Sequence, residues 1–233
     1  MKTRGNNASS PIRHYYIRMI TDETNIKHYV VNGIVLSSIA IFGLNRFFNL
    51  STRIPLQGRR TWNGISTEHL SFNRGHRLYT SLTYALNHHN WRHLAFNMML
   101  VYTFGKQIAE CNQYSTSNLM CLTGLSAVST AAVEAPFLRR GVPLIGASGI
   151  AMGYLGSVAA SDPDKKWVMA FPIPGMSMSS LELFQMTIAG HILALMWFGI
   201  NSNTPLALRG HLAALTTGYA FARFASYGLW NEW

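Results

Sequence analysis

Apolar residues in this chain are gathered into long stretches that contain no Asp, Glu, Lys or Arg. They cover residues 28–45, 112–133, 141–161 and 183–208, each long enough as a helix to cross the roughly 30 Å apolar slab of a bilayer. Two shorter stretches, 94–105 and 210–222, continue into apolar flanks once Lys106 and Arg223 extend to the interface. The pattern predicts spanning helices at about 28–47, 89–109, 115–135, 145–161, 181–201 and 206–227. The expected fold is an all-α polytopic membrane protein, a six-transmembrane-helix bundle over 28–233 behind a polar basic tail at 1–27.

The connections carry their own pattern. Between the first two spans lie about forty residues that include Arg53, Pro55, Gly58, Arg59, Arg60, Trp62 and Trp91. That is too long for a turn, and its aromatic residues predict a long ordered loop in the membrane interface. Residues 162–180 hold Pro163, Pro172 and Pro174 and cannot form one helix. Loops one, three and five share one side of the membrane. His93 and Asn97 follow the first, Ser148 the third and His211 the fifth, so all four fall within one or two turns of one face.

Composition narrows the class further. Charged residues are 12% of the chain and hydrophobic ones 48%, while spans rich in Gly, Ser, Thr and His keep the mean hydropathy only slightly positive. The net charge of +10 is spread over the tail and loops with no compact basic helix. It predicts contact with anionic lipid and no nucleic-acid partner. Cys111 and Cys121 have no spacing that demands a disulfide or a metal, so packing is expected of both. The first 27 residues are basic and lack an acid before Asp22, a weak likeness to an organellar targeting tail without its apolar face. No secretory apolar region precedes the first span.

Ser148 stands in Gly146-Ala147-Ser148-Gly149 at the head of the fourth span. The glycines allow close backbone approach, and a helix N-terminus offers free N–H groups to developing negative charge. The same tetrapeptide also suits small-residue helix packing. His211, 63 residues later, heads the last span. It is either a base for Ser148 or an interfacial histidine bonded to a loop carbonyl. Gly149, Gly153 and Gly156 on one span, with Ala214 and Gly218 on the other, would let the two helices touch.

His89, His93 and Asn97 recur at four-residue intervals on one helical face. His93 and Asn97 would complete an oxyanion hole with the Ser148 amide, one such donor contributing about 3 kcal/mol. Alternatively the histidines hold a metal, with His88 or His191 as third ligand. However, His191 belongs to another span at another depth, and no Glu lies in the motif to serve as base. No metal and no cofactor are expected. None of the nine acids falls at a span centre. Glu68 and Glu134 are the ones on the presumed catalytic side, and solvation at a loop or span end accounts for both. A Ser–His dyad is the economical mechanism. A small transporter would need several midplane ionisable groups, and His191 is the sole candidate.

Taken together, these residues resemble the rhomboid intramembrane serine proteases. The likeness rests on His93-Leu94-Ala95-Phe96-Asn97-Met98, Gly146-Ala147-Ser148-Gly149 and Gly210-His211-Leu212, in that order, and takes in nearly everything from residue 28 onward. Phe171-Pro172-Ile173-Pro174-Gly175 looks like the mitochondrial, presenilin-associated branch. The resemblance implies cleavage of single-pass transmembrane substrates by Ser148 and His211, His93 and Asn97 matching the family's oxyanion residues and Gly146 and Gly149 supporting the serine motif. It also implies a mitochondrial inner-membrane location. Departures are His76 for the Trp of a Trp-Arg pair completed by Arg77, Met152 for a Tyr one turn after the serine, and Gly210, Ala213 and Ala214 for the usual small residues around His211. The mitochondrial branch often has a further N-terminal span, and none is expected in residues 1–27. The rival expectation is a non-catalytic relative that binds membrane helices as a subunit of an inner-membrane complex such as a translocase.

Overall fold

The computed structural model describes residues 23–48, 52–56, 59–63, 68–73, 77–138, 142–168, 174–198 and 207–226. It is mostly helical: α1 (Glu23–Phe47), a short α2 (Thr80–Thr83), α3 (Trp91–Glu110), α4 (Thr116–Glu134), α5 (Ser148–Ser161), α6 (Ser180–Phe198) and α7 (Leu208–Ser226). Local capping chemistry sets several starts. The Asn90 side chain accepts from the His93 N–H at 2.9 Å and Ser115 Oγ accepts from the Asn118 N–H at 3.1 Å. At α6 the pair is reciprocal: the Ser179 N–H donates to Glu182 Oε2 at 2.6 Å and the Glu182 N–H to Ser179 Oγ at 3.2 Å.

Starts of α3 to α7 fall within three residues of those read from hydropathy, but α1 begins at Glu23 rather than near 28. Lys27 therefore belongs to a helix and not to a solvated tail. It is only 3% exposed, and its Nζ donates to the carbonyls of Cys111 at 3.0 Å and Tyr114 at 2.9 Å. The cation thus sits on the turn that joins α3 to α4, close enough to the C-terminal end of α3 to be favoured by its dipole. Residues 1–22 of the expected tail, His76, and residues 171–173 of the proline-containing loop lie outside the described residues.

Among the described residues three helices, Glu23–Phe47, Thr116–Phe137 and Ser180–Phe198, are long and apolar enough to cross a membrane. The distribution of side chains agrees with a lipid solvent. In α1 the buried residues are Lys27, Val31, Ser38 and Asn45, a seam of mostly polar side chains, while Leu36, Ile39, Leu44 and Phe47 are exposed. Along α6, Leu193, Met196 and Trp197 all point outward, Trp197 at 85% exposure. Polar groups turned inward and apolar groups turned outward invert the order of a water-soluble protein. They suit a solvent that cannot hydrogen-bond.

At the centre stands α5, with ten of its 14 residues buried and its most extensive packing against α7. Backbone contact there is close. A Cβ on Gly218 would strike the Gly153 carbonyl, and one on Gly156 the carbonyl of Leu215. Gly149, expected in the same stripe, faces Thr130 and Tyr84 instead. Gly153, one turn on and on the same face, likewise points its Cβ direction first at Ser126 of α4. Two connections contain short antiparallel ribbons that periodicity did not reveal. β1 (Thr52–Leu56) pairs with β2 (Arg59–Asn63), and β3 (Lys166–Val168) with β4 (Ser177–Ser179).

Candidate active site

Three parts of the connection between α1 and α3 hold the loop that precedes Ser148. Phe72 and Leu144 exchange backbone hydrogen bonds of 3.0 and 2.9 Å, and the Gly146 N–H donates to the Tyr84 carbonyl at 3.1 Å. The Ala147 N–H reaches His88 Nε2 at 3.4 Å. Burial, reinforced by neighbouring His93, pushes the His88 imidazole down to about 3, so its bare Nε2 stays an acceptor at neutral pH. Gly146 has φ of 110°, in the region that favours glycine. Ser148 is then the first residue of α5, where the leading N–H groups have no partner within the helix.

His211, 8% exposed, turns its Nε2 to Ser148 Oγ at 2.8 Å. Its other nitrogen, Nδ1, lies 3.1 Å from His191 Nε2, and His191 Nδ1 lies 2.7 Å from the Thr187 carbonyl oxygen. The sequence reading put His191 at another depth. The structure corrects that. Counting rise along separate helices gives depth only where both run parallel to the membrane normal, and mutual tilt can bring offset positions together.

Glu134 requires a second correction. Far from being solvated, it is 3% exposed. Its Oε1 accepts from the Gly210 N–H at 2.8 Å and its Oε2 from Arg209 Nη2 at 3.0 Å. Thr130 Oγ1 donates to the Gly210 carbonyl at 3.2 Å. A carboxylate at the first turn of α7 answers both the helix dipole and the guanidinium, holding the turn that carries His211. Gly210 makes this possible, since a Cβ there would lie 2.7 Å from Thr130 Cγ2 and 2.9 Å from Glu134 Cγ. Glu68 is exposed, as expected.

His93 and Asn97 close over Gly146: a Cβ at that glycine would stand 2.8 Å from His93 Nε2 and 3.1 Å from Asn97 Nδ2. Asn97 is 2% exposed, and its Nδ2 is buried without a hydrogen-bond partner. Leaving such a donor unmet costs about 1–3 kcal/mol, which is tolerable where a reacting group uses it. His88, His89 and His93 form a cluster, with ring centroids 5.2 and 6.0 Å from His93. Among the described residues no group of three His, Cys, Asp or Glu has metal-binding geometry.

Ser148, His211, His93, Asn97, Gly146 and Gly149, the candidates expected from sequence, are gathered by the fold around one loop. Sequence alone offers His88 only as a metal ligand and assigns no site role to Glu134. The adjacency of His88 to the His89–Asn97 face was a signal for the first. Nothing local marked the second.

Apolar side chains exposed along α1 and α6, with three described helices of spanning length, define an integral membrane protein. Within that class, a family model of the Rhomboid domain matches residues 75–228, more than half of the chain, and the chain belongs to the rhomboid family. That family consists largely of intramembrane serine proteases, with some inactive members. No curated protein matches the chain.

Proposed function

We propose that the protein is an intramembrane serine endopeptidase that cleaves transmembrane helices of membrane proteins, with Ser148 as nucleophile and His211 as base. The observation that carries this is the 2.8 Å Ser148–His211 contact at a helix N-terminus. His211 Nε2 takes the hydroxyl proton as Ser148 Oγ bonds to the scissile carbonyl carbon. The oxyanion meets the first-turn amides of α5 together with His93 and Asn97. Collapse breaks the C–N bond, His211 returns the proton to the leaving amine, and water hydrolyses the ester by the same route.

Six spans, the long helices α1 and α3 to α7, enclose this site in our reading. With 14 residues, α5 is only about 21 Å long against a slab of roughly 30 Å, which supports a serine sunk below the membrane surface. Substrate helices must unwind locally, because an intact helix keeps its carbonyls hydrogen-bonded. A place in the mitochondrial inner membrane is supported by the basic tail and the Phe171-Pro172-Ile173-Pro174-Gly175 loop. Fractionation of a tagged protein tests that.

The decisive experiment compares wild type with Ser148→Ala on a transmembrane reporter in liposomes. Cleavage should vanish with Ser148→Ala while the melting temperature holds. Cleavage that persists rejects the assignment. A folded wild type that neither cleaves nor reacts with a fluorophosphonate would instead favour a helix-binding subunit.

A further inference from the structure

We infer that His191 is a positioning residue that sets which nitrogen of His211 carries the proton, an inference resting on the protease reading above. One chain of contacts links the groups: Ser148 Oγ to His211 Nε2 at 2.8 Å, His211 Nδ1 to His191 Nε2 at 3.1 Å, and His191 Nδ1 to the Thr187 carbonyl oxygen at 2.7 Å. A carbonyl oxygen only accepts, so His191 Nδ1 bears a proton. In the neutral imidazole Nε2 is then bare and can only accept. The nitrogen facing it, His211 Nδ1, must therefore be the donor. His211 Nε2 is left bare and aimed at the serine hydroxyl. A backbone carbonyl one turn back along α6 thus dictates every bond direction as far as the nucleophile.

A serine-protease carboxylate does the same work elsewhere: it holds the catalytic imidazole in the productive tautomer and supports the imidazolium that forms. Here the nearby carboxylate, Glu134, is taken by the Gly210 N–H and Arg209, and an imidazole stands in the orienting place. With no acceptor at 191, His211 could carry its proton on Nε2, donate to Ser148, and fail as a base. Once His211 has taken the Ser148 proton, its Nδ1–H still points at His191 Nε2, a charge-assisted hydrogen bond. His191 itself gains and loses no proton in the cycle.

The test uses the full-length protein in liposomes, with kcat, KM and melting temperature for wild type, His191→Leu, His191→Gln and Ser148→Ala. His191→Leu should lower kcat by about 10- to 100-fold with KM nearly unchanged, less than the roughly 10⁴-fold effect of spoiling a triad carboxylate because imidazole brings no full charge. His191→Gln, whose Oε1 can accept from His211 Nδ1–H, should recover most of that loss. Should His191→Leu lower the melting temperature, His191→Asn takes its place; it is too short to reach His211 and should show the same loss of kcat. Wild-type kcat in the non-accepting variant, a loss confined to KM, or no rescue by Gln overturns the inference. Cleavage by Ser148→Ala would sink the protease reading itself, an outcome separate from any result at 191.

Discussion

At Gly146 two independent constraints exclude a side chain. Its φ of 110° is a region that L side chains rarely adopt, and a Cβ would sit 2.6 Å from His93 Cε1. Backbone strain alone is worth about 1–3 kcal/mol, and the collision would push His93 and Asn97 off the loop. Gly146→Ala should therefore lose at least about 100-fold in kcat, measured on the transmembrane reporter; a near-wild-type rate would show that the loop tolerates repacking. Asn97 offers the opposite balance of stability and activity. Because its buried Nδ2 has no partner, replacing the side chain by an apolar one of similar size forfeits no hydrogen bond. Asn97→Leu should keep or raise the melting temperature while kcat falls about 10²- to 10³-fold. A variant that loses stability but keeps its rate would remove Asn97 from the oxyanion site. These residues were legible because glycines, a serine and spaced His and Asn stand out against apolar runs. Glu134 was not, since an acid at a span end looks the same in sequence whether it meets water or Arg209.

Among the helices, the junction of α4 with α7 places His211. Glu134 of α4 clamps Arg209 and the Gly210 N–H, and removing one partner leaves a buried cation and a free amide. Glu134→Ala should destabilise the protein by about 3–5 kcal/mol. The double variant Glu134→Met with Arg209→Met should recover much of that, as read by denaturant unfolding in micelles. Equal stability of Glu134→Ala and wild type would mean water satisfies the pair. The α5–α7 crossing was partly legible, since Gly153, Gly156 and Gly218 were read as an approach surface. Which glycine faces which helix was not. That depends on helix rotation, and Gly149 turned out to face Thr130 and Tyr84.

For the molecule as a whole, solvent type explains why so many polar groups lie inside. Lys27 ties α1 to the turn between α3 and α4 through two carbonyls, and Asn45 Nδ2 donates to Asn87 Oδ1 at 3.1 Å. In a medium without water such bonds are among the few forces that choose one helix arrangement over another. Lys27→Met should lower stability by about 1.5–3 kcal/mol per lost charged bond, visible as easier unfolding in micelles with the chain still in the alkali-resistant membrane fraction. Release from that fraction would contradict the membrane assignment altogether.

The lengths and approximate borders of the apolar helices followed from sequence alone, because a backbone in lipid must satisfy its hydrogen bonds within each segment and so demands a long local apolar run. The same holds for the glycine before Ser148 and for the candidacy of Ser148 and His211, whose residue types and order are local marks. Tertiary structure alone decided that His191 abuts His211, that Glu134 is buried and that Lys27 ties α1 to the turn between α3 and α4. Those contacts depend on how helices lean and rotate against one another, and tilt and rotation come from packing among neighbours rather than from the apolarity of any one span.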